Sequence, residues 1–268
     1  MLRGHVIAGV DGSPAAVQAQ DAAAVEAVLR GVPLELLYAV PDPDEAPPIL
    51  TACAARVRAR HPGLEVHATA VREGPAAALV RHGAGAALIV VGPRRTGRFT
   101  GAVLPSVTRR TAARTRTPLM LANTPHTRPP TAPGPVILLL GHEDEQDADA
   151  ALFAFTEAAR RDVALLCFRA DGTPARSADG SALLGAVRRS TRTDRMRRLL
   201  DATGSAGLLV MRQHHAPLQR FHPRPTTRDL LIRHSCCPVV VVPTSQASYR
   251  WNPDVLHWRP SGSTASAS

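Results

Sequence analysis

Short apolar runs alternate with alanine-rich segments along the first half of the chain. The runs lie at residues 5–10, 33–40, 64–71, 88–91 and 118–121. A run without polar interruptions, such as 88–91, is typical of a strand buried on both faces of a parallel sheet. Helices are predicted between the runs, at residues 14–30, 49–60 and 75–82. A fourth helix is expected to start at Pro105 and Ser106 and to include the helix-like stretch 108–114. Strands and helices that alternate at these spacings predict a doubly wound, five-stranded parallel α/β sheet.

The same pattern starts again after a proline-rich segment, which can continue neither a strand nor a helix. Apolar runs return at residues 136–140, 163–168, 207–211 and 238–242. A short strand at 183–187 and a helix at 194–201 are also expected there. This periodicity indicates an internal repeat. The predicted units are a domain at 1–124, a linker at 125–135, a second domain at 136–243 and a tail at 244–268. The tail is polar and rich in serine, and we expect it to be disordered.

Polar residues and glycines follow two of the predicted strands. Asp11 comes directly after the first strand, and Ser13 with Pro14 forms a helix-start signal behind it. Gly92 ends the fourth strand, and a basic loop leads from it to a helix start at Ser106. Ligands of parallel α/β sheets lie at the carboxyl ends of the strands, and a glycine-containing loop before a helix presents backbone N–H groups to anions. This edge is therefore predicted to attract phosphate. Asp11 and Ser13 also have a purely structural interpretation, the capping of a turn and a helix.

These two segments resemble the universal stress protein family. Residues 6–14, V-I-A-G-V-D-G-S-P, are similar to the family's opening, in which the aspartate after the first strand contacts the adenosine of ATP. The family follows its fourth strand with Gly-x-x-Gly, nine residues, and Gly-Ser or Gly-Thr, a loop that holds the phosphates and ribose. Gly92 and Ser106 match this spacing, whereas Arg95 and Pro105 replace the other two glycines. The resemblance implies two Rossmann-like universal stress protein domains in tandem, packed as a pseudo-dimer through their last strands.

The resemblance also implies an adenine-nucleotide site, with ATP as its ligand, in the first domain. The candidate residues are Asp11 at the nucleoside, Gly92 and Gly97 at the phosphates, and Arg94, Arg95 and Ser106 as side-chain donors. Mg²⁺ is expected only as a companion of the nucleotide. In the second half, Gly141 stands where Asp11 stands in the first, and Met211 where Gly92 stands. No nucleotide is therefore expected in the second domain, which is interpreted as a degenerate copy.

Two loop residues leave an alternative open. Pro105 removes a backbone N–H at the helix start where phosphate would bind, and Arg95 supplies charge but fills space that the backbone needs. The alternative is a nucleotide-free scaffold or protein-interaction module with both nucleotide sites lost. In either case we expect a bacterial stress-response regulator with protein partners or self-association. No enzyme is expected, because no activated nucleophile stands out at the strand ends and no G-x-S-x-G motif is present.

The charge of the chain indicates an affinity for anions without identifying one. All 32 basic residues are arginines, the formal net charge is +10, and residues 74–142 contain no aspartate or glutamate. That stretch would attract anions. Aromatic residues make up only 3% of the chain, which is too few for a base-stacking platform, and neither half carries a common nucleic-acid-binding motif. No specific nucleic-acid partner is expected.

The cysteine pattern and the N-terminal sequence indicate the cellular compartment. The four cysteines do not form the framework of a secreted disulfide scaffold. The apolar run at the start is too short for a signal peptide, and no run has the length of a membrane span. We expect a cytoplasmic protein without a membrane partner.

Several potential metal ligands crowd the second half, but their spacing fits no standard site, so no metal is predicted. They are His214, His215, His222, His234, Cys236 and Cys237.

Overall fold

The computed structural model describes the backbone of residues 4–92, 106–123, 134–141, 147–169, 192–213 and 227–244. The strands are β1 (Val6–Gly9), β2 (Leu34–Ala39), β3 (Val66–Val71), β4 (Leu88–Val91), β5 (Leu119–Leu121), β6 (Val136–Leu140), β7 (Leu165–Arg169), β8 (Leu208–Arg212) and β9 (Val239–Val242). The helices are α1 (Pro14–Arg30), α2 (Pro47–Arg60), α3 (Pro75–His82), α4 (Ser106–Arg114), α5 (Ala148–Arg161), α6 (Arg192–Ser205) and α7 (Thr227–His234). A short 3-10 helix, Pro43–Glu45, precedes α2.

All described strands belong to one nine-stranded sheet in the order β3-β2-β1-β4-β5-β9-β8-β6-β7. Within the first half, every neighbouring pair of strands is parallel, and so is every described pair within the second half. The predicted fold class, a doubly wound parallel sheet in each half, is confirmed. The fifth strand predicted in the second half, at residues 183–187, lies outside the described residues.

The two halves meet where β5 pairs antiparallel with β9. Met120 lies opposite Val240. The two residues are at equivalent positions of the two halves, because each follows a proline, Pro118 or Pro238, by two residues. The carbonyl groups of these prolines accept equivalent backbone hydrogen bonds from β4 and β8. A local two-fold axis therefore passes through this pair. Helices α1, α2 and α5 cover one face of the sheet, and α3, α6, α7 and part of α4 cover the other. The predicted pseudo-dimer packing through the last strands is what the structure shows.

Alanine dominates the helix surfaces that contact the sheet. In α1, the side chains of Ala19, Ala23 and Ala27 are fully buried, so the helix lies close to the strands beneath it. Its ends are fixed locally: Ser13 accepts a hydrogen bond from the N–H of Ala16, with Pro14 at the first helical position, and Gly31 adopts the left-handed conformation at the end. The start signal read from the sequence is confirmed.

The predicted domain limits stay predictions. Most of the linker predicted at 125–135 and nearly all of the tail predicted at 244–268 lie outside the described residues. Helix α6 is longer than the predicted 194–201, since it extends over Arg192–Ser205. No helix in the described part of the chain combines the length and apolarity needed to cross a membrane.

A buried network of ion pairs joins α1 to α5 across the local two-fold axis. Each helix carries a glutamate and an arginine one turn apart, Glu26 with Arg30 and Glu157 with Arg161. Arg30 Nη2 lies 2.7 Å from Glu157 Oε1, and Arg161 pairs with Glu26 in the reciprocal manner. The Glu157 side chain is only 1% exposed. Burial lowers the pKa of Arg161, but the charges of Glu26 and Glu157 outweigh this and raise it above its ordinary value.

Substitution Glu157→Ala would leave buried arginines without their carboxylate, and we expect it to lower the free energy of unfolding by about 3 kcal/mol. Urea denaturation followed by circular dichroism measures the loss. Glu73→Ala is the matched control, because the Glu73 to Arg81 pair is solvent-exposed and pairs of that kind contribute little. Equal effects of the two substitutions would contradict the role given to the network.

A second buried polar group lies at the amino end of β1 and β2. The Glu35 carboxylate is flanked by His5, whose Nε2 is 3.1 Å away, and by His82, whose Nδ1 is 3.0 Å away. Burial raises the pKa of Glu35, but its polar contacts with His5, Thr69 and His82 more than offset this, so its pKa lies below the ordinary 4.5. The ionised carboxylate thus stabilises the folded state.

The lowered pKa of Glu35 predicts a defined pH dependence. Its stabilising contribution is complete above the unfolded-state pKa of 4.5 and is lost as the pH falls through the lower folded-state value. Glu35→Gln should therefore be less stable than the natural protein near neutral pH and lose less further stability on acidification. Thermal unfolding from about pH 7 to about pH 3 measures both curves. Parallel curves over that range would contradict this assignment.

Candidate functional site

The carboxyl ends of the first-half strands bring three predicted site residues to one edge of the sheet. Strands β1 and β4 are parallel neighbours, with Val6 opposite Leu88. Asp11 and Gly92 follow these two strands and lie at the same edge. Helix α4 begins at Ser106 and leads into β5, the neighbour of β4. The fold therefore gathers Asp11, Gly92 and the start of α4, as the fold class predicted.

Asp11 caps the turn that leads into α1. Its Oδ1 accepts a hydrogen bond from the backbone N–H of Ser13 at 3.0 Å, and the intervening Gly12 has a φ of +75°. The side chain of Asp11 is exposed. A carboxylate has several acceptor positions, so capping and contact with a ligand are compatible. The buried thiol of Cys53 lies nearby: burial raises its pKa, Arg56 opposes this, and the charge of Asp11 raises it further.

Gly92 is required by the packing of α1 on β4. A Cβ atom at this position would lie 2.2 Å from the backbone oxygen of Ala15, in the first turn of α1. Real Cβ atoms do not approach oxygen so closely, so only glycine fits without displacement of the helix. The sequence predicted a glycine at the phosphates of a ligand, and the structure supplies a reason for it that needs no ligand.

The rest of the predicted loop lies outside the described residues. This holds for Arg94, Arg95, Gly97 and Pro105, whose roles stay predictions. Ser106 is described as the first residue of α4, but its side chain is not.

The equivalent edge of the second half carries different residues. Val136 pairs with Leu208 as Val6 pairs with Leu88, so Gly141 occupies the position of Asp11, as the sequence predicted. Strand β8 continues one residue further than predicted, with Arg212 opposite Val242. In this register Arg212, not Met211, corresponds to Gly92. The sequence-based alignment was wrong by one residue here, because Met211 still belongs to the buried part of the strand.

Charged side chains of the chain itself occupy this second edge. Asp147 is fully buried and accepts a hydrogen bond from the N–H of Gly141. Arg212 Nε lies 3.2 Å from Asp147 Oδ1. Arg228, in the first turn of α7, lies next to Asp147 and Arg212. Burial and the charge of Arg212 lower the pKa of Arg228, and the charge of Asp147 partly opposes the decrease. These residues were not predicted from the sequence, although an arginine directly after the apolar run 207–211 was a visible signal.

Metal ligands do not gather in the part of the chain that the structure describes: no group of three or more His, Cys, Asp or Glu side chains there could hold an ion. His214, His215 and His222 are outside that part. Cys237 is buried, and burial raises the pKa of its thiol to about 12.

Gly92→Ala is expected to destabilise the protein by about 1–3 kcal/mol, because the added methyl group forces α1 away from β4. Gly63→Ala is the matched control, since a Cβ atom at Gly63 would meet no other atom within 4 Å. Thermal and urea unfolding of the two variants give the comparison. If Gly92→Ala were as stable as Gly63→Ala, the close approach of α1 would not be a constraint on the fold.

Sequence comparison relates the first half to known proteins. The family model described as the universal stress protein family matches residues 49–123, a stretch that includes Gly92 and Ser106 and begins after Asp11. A universal stress protein of Mycolicibacterium smegmatis is 36% identical over an alignment of 130 residues, and the match covers 43% of this chain and 44% of that relative. One of Mycobacterium tuberculosis is 36% identical over an alignment of 131 residues, and the match covers 44% of each chain. The matches thus span less than half the length of these curated relatives.

Structure comparison extends further along the chain. The crystal structure of a universal stress protein from Archaeoglobus fulgidus covers 89% of this chain and 98% of its own, with a TM-score of 0.62 and 15% identity. That of a putative universal stress protein from Pseudomonas aeruginosa covers 91% and 94%, with a TM-score of 0.56 and 14% identity. At these identities the likeness shows the fold alone. Residues 49–123 thus match the universal stress protein family by sequence, and most of the chain shares the fold of these solved structures.

Proposed function

We propose that this protein binds an adenine nucleotide, ATP or a relative of it, at the carboxyl edge of its first half. The proposal rests on one observation: Asp11, Gly92 and the start of α4 lie at the same edge of a parallel sheet. In the proposed role the nucleotide is a signal that a stress-response regulator senses, and it is not turned over.

The described residues at this edge suit the two ends of a nucleotide. The exposed Asp11 carboxylate is an acceptor for the hydroxyl or amino groups of a nucleoside. The N–H groups at the N-terminus of helix α4 favour a negative charge. No acidic residue in the first turn of the helix competes with a phosphate for them. Arg94 and Arg95, which precede this helix in sequence, would supply guanidinium donors to the phosphates, and Mg²⁺ would arrive with the nucleotide.

We propose that the second half is a degenerate universal stress protein domain that binds no nucleotide. Arg212 brings a long charged side chain to the position of Gly92, and Asp147 already supplies an internal carboxylate to this edge. The charge of Arg212 is already paired with Asp147 inside the protein, so this arginine is not available as a phosphate donor. The proposed stoichiometry is therefore one nucleotide per chain.

The alternative function is a nucleotide-free scaffold for protein partners, and one observation favours it. The packing against Ala15 explains Gly92 without any ligand, so the glycine does not by itself indicate a phosphate site. Pro105 and Arg95, at positions where the family has glycine, agree with this alternative.

Isothermal titration of ATP into the full chain tests the proposal. We expect saturable binding near one site per chain, weakened at least about tenfold by Asp11→Ala, because a hydrogen bond to a charged group contributes about 1.5–3 kcal/mol. Asp201→Ala is the control, since it removes an exposed aspartate on α6 of the other half. Release of ADP or AMP above a mock-purified control, lost in Asp11→Ala, would contradict the absence of turnover.

A second variant separates the two candidate functions. If the natural chain binds no ATP and the double variant Arg95→Gly with Pro105→Gly does, the nucleotide site was lost through these two positions and the scaffold function is correct. Binding that survives in Asp11→Ala at full strength would place the nucleotide elsewhere.

A further inference from the structure

A groove of about 990 Å³ runs between the two halves on the side away from the candidate nucleotide edge. One wall is the outer surface of α5. The other is formed by the end of α4, the segment that follows it and Pro118, and the carboxyl ends of β8 and β9 close the groove. The groove exists because β5 and β9 are antiparallel, which places the amino edge of the first half beside the carboxyl edge of the second.

Unpaired positive charge lines one wall. Arg114 and Arg116 are exposed, and neither guanidinium has a carboxylate partner among the described residues. Both come from the acid-free stretch of residues 74–142. On the opposite wall Arg160 contacts the Glu157 carboxylate, which is shared within the network between α1 and α5. Asp149 also lines the groove and already interacts with another group of the protein.

Apolar side chains lie on the opposite wall. Leu152 of α5 is 67% exposed, the highest value among the exposed large hydrophobic residues of the described chain. Phe153 is half-buried beside it and also lines the groove. The groove therefore has an exposed leucine on one wall and unneutralised guanidinium groups on the other. Such a surface is complementary to a segment that carries carboxylates around an apolar side chain.

We propose that this groove docks an acidic segment of another protein, whose apolar side chain packs on Leu152 and Phe153 while its carboxylates pair with Arg114 and Arg116. The open shape suits an extended peptide better than an enclosed small molecule. Charge argues against the chain's own tail as the occupant, because residues 245–268 contain two arginines and one aspartate. This docking is independent of nucleotide binding, since the groove and Asp11 lie at opposite edges of the first half.

Fluorescence anisotropy of the full chain with a short labelled peptide tests the proposal. The peptide consists of glutamates and aspartates around a central pair of leucines, and the titration is made at about 0.15 M salt. We expect saturable binding that the double variant Arg114→Ser with Arg116→Ser weakens at least about tenfold. Leu152→Ser should weaken it similarly, and replacement of the two leucines of the peptide by serine should have the same effect.

Control variants distinguish binding of the peptide in the groove from non-specific electrostatic attraction to the basic protein. Arg109→Ser with Arg110→Ser removes the same charge from exposed positions on α4 outside the groove, and Leu29→Ser removes an exposed leucine from α1. Both should leave peptide binding unchanged. The proposal is overturned if these controls weaken binding as much as the groove variants do, or if the peptide does not bind.

Other occupants give distinct results. Binding that appears only after removal of residues 245–268 would assign the groove to the tail. Groove-dependent binding of single-stranded DNA in place of the peptide would assign it to nucleic acid, and self-association abolished by Leu152→Ser would assign it to a second copy of the chain. Each of these results overturns the proposed acidic partner.

Discussion

The pairing of β5 with β9 is the contact on which the other features of this molecule depend. Backbone hydrogen bonds between these two strands continue the sheet from one half into the other, so neither last strand has an open edge. Because the pair is antiparallel with Met120 opposite Val240, the halves are related by a two-fold rotation. The rotation brings α1 beside α5, turns the two carboxyl edges in opposite directions and creates the groove between the halves.

The ion pairs between α1 and α5 show how alanine-rich helices acquire a specific contact. Alanine side chains lie close to the sheet but offer few distinctive shapes, so many rotations of one helix on another would be similar in energy. Glu26, Arg30, Glu157 and Arg161 restrict that choice, because buried charges are tolerated only in the arrangement that pairs them all. Buried ion pairs of this kind contribute less net stability than is lost when one partner is removed. We infer that this network mainly fixes the geometry of the contact between the halves.

Sequence patterns determined the elements of the fold better than the contacts between them. The strands follow from apolar runs and α1 from Ser13 and Pro14, which are local signals. The convergence of Asp11 with Gly92 follows from the fold class, since both come after parallel strands. The packing reason for Gly92 did not follow, because its neighbour Ala15 is far away in sequence. The pairing of Arg212 with Asp147 was missed for the same reason, since contacts between residues far apart in sequence do not appear in the hydrophobic periodicity.

The difference between Gly92 and Arg212 has an evolutionary consequence. In a dimer of identical chains every substitution appears twice, so a residue that abolishes one ligand site abolishes both. Here the two-fold axis lies within a single polypeptide, and the corresponding positions are separate codons. One half is free to accumulate internal charges at its strand ends while the other retains its glycine. The joined chain thus permits an asymmetric protein to descend from a symmetric ancestor without loss of the shared sheet.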